Sequence, residues 1–188
     1  MHLNIPNILT LSRLGFIPVI MVVFFLPYEW ARPAAAWIYG FAAVTDWFDG
    51  YLARKLNQQS ALGAFLDPVA DKLIVAVALI LVTSEYADYH FLVIVGTSVI
   101  IGREITISAL REWMATLGQR STVAVSMMGK VKTAVQMLAI GFLLHKLPFY
   151  GVDTRLTGVA LLMIAAVLTV VSMLIYLKAA WVVMRKHG

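Results

Sequence analysis

Four aspartates lie in one short stretch, residues 46–71, between apolar runs at residues 37–44 and 73–82. They are Asp46, Asp49, Asp67 and Asp71. An ionised carboxylate near the centre of a membrane helix costs roughly 2.5–3.5 kcal/mol, and nearby basic residues are too few to neutralise all four. We therefore expect a pair of divalent metal ions to supply the missing positive charge.

The composition indicates an integral membrane protein. Hydrophobic residues make up 61% of the chain and the mean hydropathy is +0.86. Charged residues make up 13%, whereas a soluble domain has about 25%. Because the sequence contains no cysteine, disulfides and thiolate metal sites are excluded. No nucleic-acid-binding motif is present.

The spacing of the aspartates predicts a cage of oxygen ligands. Asp46 and Asp49 are three residues apart, and Asp67 and Asp71 are four apart, so each pair shares one face of a helix. Two such helices joined by a short connection bring four carboxylates together. Hard oxygen ligands suit Mg²⁺ or Mn²⁺ better than zinc.

Apolar segments separated by polar links predict an all-α fold with six transmembrane helices, forming one domain over residues 1–188. The predicted spans are residues 14–27, 34–56, 61–84, 91–114, 125–144 and 156–184. A short amphipathic helix, residues 1–13, precedes this six-helix bundle of residues 14–188. Two interpretations of it remain open: it lies at the membrane interface, or the face formed by Asn7, Thr10 and Arg13 lines a polar cavity.

Six spans place both termini on the same side of the membrane. That side collects Arg13, Arg54, Lys55, Arg111, Arg120, Arg185 and Lys186. The opposite loops hold Arg32, Lys146 and Arg155, balanced by Glu29, Glu85, Asp88 and Asp153. The positive-inside rule therefore predicts that the termini and the acidic site face the cytoplasm.

The acidic stretch matches the signature D-x2-D-G-x2-A-R-x8-G-x3-D-x3-D, and the chain resembles the CDP-alcohol phosphotransferase family. The matching residues are Asp46, Asp49, Gly50, Ala53, Arg54, Gly63, Asp67 and Asp71. The resemblance covers the whole chain. Outside the signature, the segments N-I-P-N-I-L-T, A-L-R-E-W and G-K-V-K-T are similar to the bacterial branch that uses glycerol 3-phosphate.

The resemblance implies an enzyme of the bacterial inner membrane that acts as a homodimer. Its substrates would be CDP-diacylglycerol and sn-glycerol 3-phosphate, and its products phosphatidylglycerophosphate and CMP, in the first step of phosphatidylglycerol and cardiolipin synthesis. Two Mg²⁺ or Mn²⁺ ions would be held by Asp46, Asp49, Asp67 and Asp71, and Asp71 would also be the general base. CDP-diacylglycerol would contact Gly50, Ala53, Arg54 and Gly63, with Asn7, Thr10 and Arg13 nearby.

The acceptor is itself a phosphate and needs cations distinct from those at the diphosphate. The candidates are Arg103, Arg111, Lys130 and Lys132. Lys130 and Lys132 point about half a turn apart, so we expect only one to face the acceptor and favour Lys130. Alternatively, Arg111 and Lys132 contact lipid headgroups. Glu104 is predicted to pair with a neighbouring arginine.

Two further hypotheses remain open on the sequence. A related enzyme could use another acceptor, such as inositol phosphate, serine or phosphatidylglycerol. An ion or proton transporter would also explain carboxylates within a membrane. It would not explain why Gly50, Ala53, Arg54 and Gly63 occur at the offsets of the signature.

Overall fold

The computed structural model of the chain contains six α helices in the residues that it describes. The described backbone covers residues 5–56, 61–86, 88–117 and 127–187. Within it, nothing is described for the side chains of residues 5–7, 9, 46–56, 61, 62, 64, 127, 128, 182–184, 186 and 187. The helices are α1 (Ile5–Phe24), α2 (Ala31–Leu56), α3 (Ala61–Glu85), α4 (His90–Thr116), α5 (Met127–His145) and α6 (Thr154–His187).

The first helix differs from the expectation of a separate interfacial segment that ends at residue 13. Ile5–Phe24 form one uninterrupted helix that continues through Pro18. Thr10 and Arg13 are each only 1% exposed, so their side chains face the protein interior. The segment therefore packs as part of the bundle at these two positions, in line with the cavity-lining interpretation.

Two helices within the described residues are long and apolar enough to cross a membrane, His90–Thr116 and Thr154–Trp181. Thr10–Phe24 is a shorter apolar helix. In α2 and α3 the aspartates and basic residues interrupt the apolar runs, which lowers their mean hydropathy. Large apolar side chains such as Val22, Phe41 and Leu174 are exposed, which is typical of a surface that faces lipid.

The helices pack around two apolar clusters. The larger one joins α1 to all the other helices and includes Ile20, Leu79, Ile100, Ile140 and Leu162. The smaller one lies between α4 and α6 and consists of Ile107, Leu110, Met114, Tyr176 and Ala180. The second cluster lies beside the part of α4 that carries the predicted acceptor-binding arginines, and it holds that part of the helix against α6.

Two glycines allow α6 to approach its neighbours closely. A Cβ atom added at Gly158 would lie 2.7 Å from Cγ of Leu143 in α5. A Cβ atom added at Gly96 in α4 would lie 2.9 Å from Cγ of Leu162 in α6. Small residues at helix crossings have this effect in membrane bundles, where close van der Waals packing replaces the hydrophobic driving force.

A cluster of three charges, the Glu85 cluster, ties α2, α3 and the end of α5 together. Arg32 donates from Nη2 to Oε2 of Glu85 at 2.7 Å, and Lys146 donates from Nζ to Oε1. Lys146 follows α5 with a φ of 61°, a left-handed conformation that is uncommon outside glycine. The two ion pairs of Glu85 therefore stabilise the end of the bundle at which α2 begins and α3 ends.

Candidate functional site

A cavity of about 560 Å³, the polar cavity, opens between the first five helices in the half of the bundle opposite the Glu85 cluster. Its charged lining residues are Arg13, Asp67, Asp71, Lys72, Arg103, Glu104 and Arg111. Five different helices contribute to its wall. Charged groups from sequence-distant segments thus meet in one space that is large enough for part of a phosphorylated substrate.

One wall of the polar cavity is formed by the acidic face of α3. Asp67 and Asp71 are four residues apart, so both line the cavity. Thr10 donates from Oγ1 to Oδ1 of Asp67 at 2.5 Å, and Arg13 donates from Nη1 to Oδ1 of Asp71. Helix α1 therefore brings two of the three polar residues predicted on its N-terminal face to the acidic pair of α3.

The second acidic pair, Asp46 and Asp49, belongs to α2. The helix continues through both positions, which follow the cavity-lining Ala42 by four and seven residues. Their side chains lie outside the described part of the chain. The same holds for four residues predicted to contact CDP-diacylglycerol, namely Asn7, Gly50, Ala53 and Arg54. Gly63 is described and is buried in α3.

The donor set that is described fits a hard divalent cation. Asp67 and Asp71 present carboxylate oxygens to one cavity, beside the hydroxyl of Thr10. Among the described side chains there is no group of three or more His, Asp or Glu residues that could hold a metal ion. A complete ligand set thus depends on α2, which carries the other two aspartates of the predicted cage.

The opposite wall, formed by α4 and α5, is cationic. Arg103 is 8% exposed and donates from Nη1 to Oε1 of Glu104 at 3.1 Å. Lys132 is 2% exposed and donates from Nζ to the same oxygen at 2.7 Å. We call these three residues the Glu104 cluster. Glu104 thus pairs with a neighbouring arginine, as the sequence predicts, and also with a lysine from another helix.

Arg111 lines the cavity eight residues after Arg103, on the same side of α4. The guanidinium carbons of Arg103 and Arg111 lie 5.8 and 5.5 Å from the ring centroid of Tyr176 in α6, within the range of a cation–π contact. The ring of Tyr176 thereby contacts both arginines. Arg111 thus lines the cavity while its side chain is also exposed, and its role in binding the acceptor stays a prediction.

The two lysines of α5 differ in burial. Lys130 is exposed and, within the described lining, does not belong to the polar cavity. Lys132 is buried beside Glu104. The expectation that the two side chains point in different directions agrees with this arrangement. Neither lysine is among the described lining residues, but Lys132 contacts Glu104, which is, and the preference for Lys130 stays a prediction.

Two lining residues, Tyr39 in α2 and Gln136 in α5, were missed by the sequence reasoning. Both are buried. Helical spacing could have indicated them, because Tyr39 precedes Asp46 by two turns and Gln136 follows Lys132 by one turn. Neither residue carries a charge or belongs to a signature, so each looks like an ordinary core position in the sequence.

Comparison with known proteins shows the family to which the chain is similar. The family described as CDP-alcohol phosphatidyltransferase matches residues 3–184. The chain is 54% identical over 180 residues to an Escherichia coli (strain K12) protein, with 96% of each chain covered. It is 53% identical over 180 residues to a protein of Salmonella choleraesuis (strain SC-B67), again with 96% of each covered. Both relatives are named CDP-diacylglycerol–glycerol-3-phosphate 3-phosphatidyltransferase.

Proposed function

Because the chain belongs to the CDP-alcohol phosphatidyltransferase family, we propose that it transfers the phosphatidyl group of CDP-diacylglycerol to sn-glycerol 3-phosphate. The products are phosphatidylglycerophosphate and CMP. The observation that carries the proposal is the identity of 53–54% to the two relatives with this activity in their names, over 96% of the chain. The polar cavity supports it, because one wall is acidic and the other cationic.

The acidic side of the cavity is the proposed site of the diphosphate. Members of this family use divalent metal ions. We assign two such ions, Mg²⁺ or Mn²⁺, to the four aspartates of the signature, Asp46, Asp49, Asp67 and Asp71. When bound, these ions would neutralise the diphosphate and stabilise CMP as the leaving group. The CDP part of the substrate is assigned to Gly50, Ala53, Arg54 and Gly63, together with Asn7, Thr10 and Arg13.

The reaction is a direct displacement at the β-phosphorus. The terminal hydroxyl oxygen of the acceptor forms the new bond to phosphorus, and Asp71 accepts the hydroxyl proton. The bond from the β-phosphorus to the bridging oxygen breaks, and its electron pair leaves with CMP. Arg13 donates to one oxygen of Asp71 and so orients the carboxylate. Thr10 orients Asp67 in the same way.

The cationic side is the proposed site of the acceptor phosphate. A phosphate dianion needs cations that are not already neutralised. Arg103, Arg111 and Lys132 together carry three positive charges against the single charge of Glu104, and the Glu104 cluster keeps two of them in place. Lys130 is exposed in the first turn of α5, and its assignment to the acceptor stays a prediction.

We place the whole chain in the bacterial inner membrane as one six-span domain, a homodimer with its termini and active site on the cytoplasmic side. Helices α4 and α6 have the length and hydropathy of membrane spans. The exposed apolar side chains favour lipid on several sides of the bundle. The excess of Lys and Arg beside the predicted cytoplasmic ends supports the orientation.

An acceptor panel tests the proposal. Protein purified in detergent is given CDP-diacylglycerol and Mg²⁺ with glycerol 3-phosphate, serine, inositol phosphate or phosphatidylglycerol, and CMP and the lipid product are measured. We expect CMP release with glycerol 3-phosphate only, and its loss when the metal is chelated. Turnover with serine but not with glycerol 3-phosphate would show that serine is the acceptor. If no acceptor led to CMP release, the proposal that the protein is a phosphatidyltransferase would be rejected.

A further inference from the structure

The polar cavity holds buried polar atoms that no described protein group satisfies. They are Oη of Tyr39, Oε1 of Gln136 and Nε of Arg103. The three residues come from α2, α5 and α4, line the same cavity and are 2%, 4% and 8% exposed. Buried polar groups are almost always hydrogen-bonded, so three that lack a partner around one cavity point to a ligand group.

The three atoms have complementary hydrogen-bonding roles. A side-chain amide oxygen only accepts, a guanidinium Nε–H only donates, and a tyrosine hydroxyl does either. An alcohol hydroxyl has one hydrogen to donate and two lone pairs to accept, and so matches this set. A phosphate oxygen has no hydrogen for Gln136, and an acyl chain satisfies none of the three.

Arg103 connects this set to the proposed phosphate site. Its Nη1 donates to Glu104 in the cationic cluster, while its Nε is the unpaired atom. The guanidinium group of Arg103 therefore borders both the proposed phosphate site and the set of unpaired atoms. In glycerol 3-phosphate the secondary hydroxyl is on the carbon next to the one that carries the phosphate ester. The hydroxyl and the phosphate of the acceptor are therefore close enough for one guanidinium group to contact both.

We propose that Tyr39, Gln136 and Nε of Arg103 bind the secondary, non-reacting hydroxyl of glycerol 3-phosphate. The inference rests on the proposed function and extends it to a source of acceptor specificity. Holding the secondary hydroxyl fixes the rotation of the glycerol backbone and directs the terminal hydroxyl to Asp71. The enzyme thereby selects against phosphorylated alcohols that lack this hydroxyl.

The test compares glycerol 3-phosphate with 3-hydroxypropyl phosphate, which has the terminal hydroxyl and the phosphate but lacks the secondary hydroxyl. For the unmodified protein we expect kcat/KM to be about 100-fold lower with the deoxy acceptor, since buried polar groups are then left unpaired. Tyr39→Phe and Gln136→Leu should each lower kcat/KM for glycerol 3-phosphate about 10-fold or more and leave the deoxy acceptor within ~3-fold.

Tyr86→Phe is the matched control. Tyr86 is also buried, but its hydroxyl donates to the backbone oxygen of Leu143 at 2.7 Å, in the half of the bundle away from the cavity. Burial raises the pKa of the Tyr86 hydroxyl, which therefore stays neutral and able to donate. Its substitution should lower the melting temperature and leave the discrimination between the two acceptors unchanged, whereas Tyr39→Phe should keep the melting temperature.

Three results separate the possibilities. A reduced preference for glycerol 3-phosphate in both Tyr39→Phe and Gln136→Leu supports the inference. An unmodified protein that uses both acceptors equally, or variants that discriminate as well as it does, would overturn the inference while the proposed function stands. If the unmodified protein uses neither acceptor, the proposed function and the inference fail together.

Discussion

The two ion clusters of the bundle contain the same residue types and do different work. Glu85 accepts from Arg32 and Lys146 on separate oxygens, so this cluster joins three segments of the chain. Glu104 accepts from Arg103 and Lys132 on one oxygen. Of these six residues, only Arg103 and Glu104 line the polar cavity.

The difference shows that a buried ion cluster is not by itself a functional signal. The Glu85 cluster joins helix ends, and although Nη1 of Arg32 is also a buried atom without a described partner, none of the three residues lines the polar cavity. The Glu104 cluster is next to a cavity with unsatisfied polar atoms and a third cation, Arg111, so positive charge remains for a ligand. Net positive charge beside a cavity is the reason why we propose the acceptor site next to the Glu104 cluster.

The largest expected effect is at the acidic wall. Asp71→Asn should lower turnover by about 10³-fold or more, because an amide cannot take the acceptor proton. Binding of CDP-diacylglycerol should be largely kept. CMP release and equilibrium binding of the nucleotide-lipid measure the two quantities separately.

Asp153→Asn is the control, since Asp153 accepts at Oδ1 from the first-turn amides of α6 and asparagine caps helices equally well. Its turnover should stay within ~2-fold. Unchanged turnover in Asp71→Asn would remove Asp71 as the base.

Substituting Arg103 should change the KM for the acceptor, whereas substituting Arg32 should change thermal stability. Arg103→Ala should raise the KM for glycerol 3-phosphate about 10- to 100-fold, because a phosphate loses a charged donor. Arg32→Ala should leave that KM unchanged and lower thermal stability. Steady-state kinetics with varied acceptor and melting curves in detergent provide both readouts. A rise only in the KM for CDP-diacylglycerol would reverse the assignment of the two walls.

Glu85→Gln tests whether the Glu85 cluster stabilises the packing of the helix ends. Removing the carboxylate leaves Arg32 and Lys146 half-buried without a counter-charge, so we expect unfolding to become easier by about 1–3 kcal/mol. Reversible unfolding in mixed micelles measures the change, and the KM for either substrate should stay the same. A variant with full stability but a changed KM would mean that the two clusters are coupled.

The smallest expected effect concerns the two lysines of α5. Lys132→Ala should raise the KM for glycerol 3-phosphate about 5- to 10-fold, because it removes the cation that pairs with the cavity-lining Glu104 and leaves that carboxylate less neutralised. Lys130→Ala is the matched substitution on the exposed side and should change the KM by less than ~2-fold. The opposite order of effects would favour Lys130 as the contact, which the sequence interpretation preferred.

Much of the architecture could be predicted from local pattern. The helices near residues 34–56, 61–84 and 91–114 follow from apolar runs between polar links, and α2, α3 and α4 agree with them to within a few residues. The segment expected to lie at the interface before residue 14 continues into the first predicted span as one helix, because the polar residues there do not end the helix. Thr10 and Arg13 instead donate to Asp67 and Asp71, which lie more than 50 positions away, and a rule based on neighbouring residues cannot predict such partners.

The spacing of the aspartates and the excess of positive charge were determined by the sequence alone. Helix periodicity makes residues three or four positions apart neighbours whatever the rest of the fold does. Only the tertiary structure decided which of Lys130 and Lys132 is buried. It also decided that Tyr39, Arg103 and Gln136 line the same cavity. The reason is that burial and hydrogen-bond satisfaction are set by which helices pack together, and the partners lie far apart along the chain.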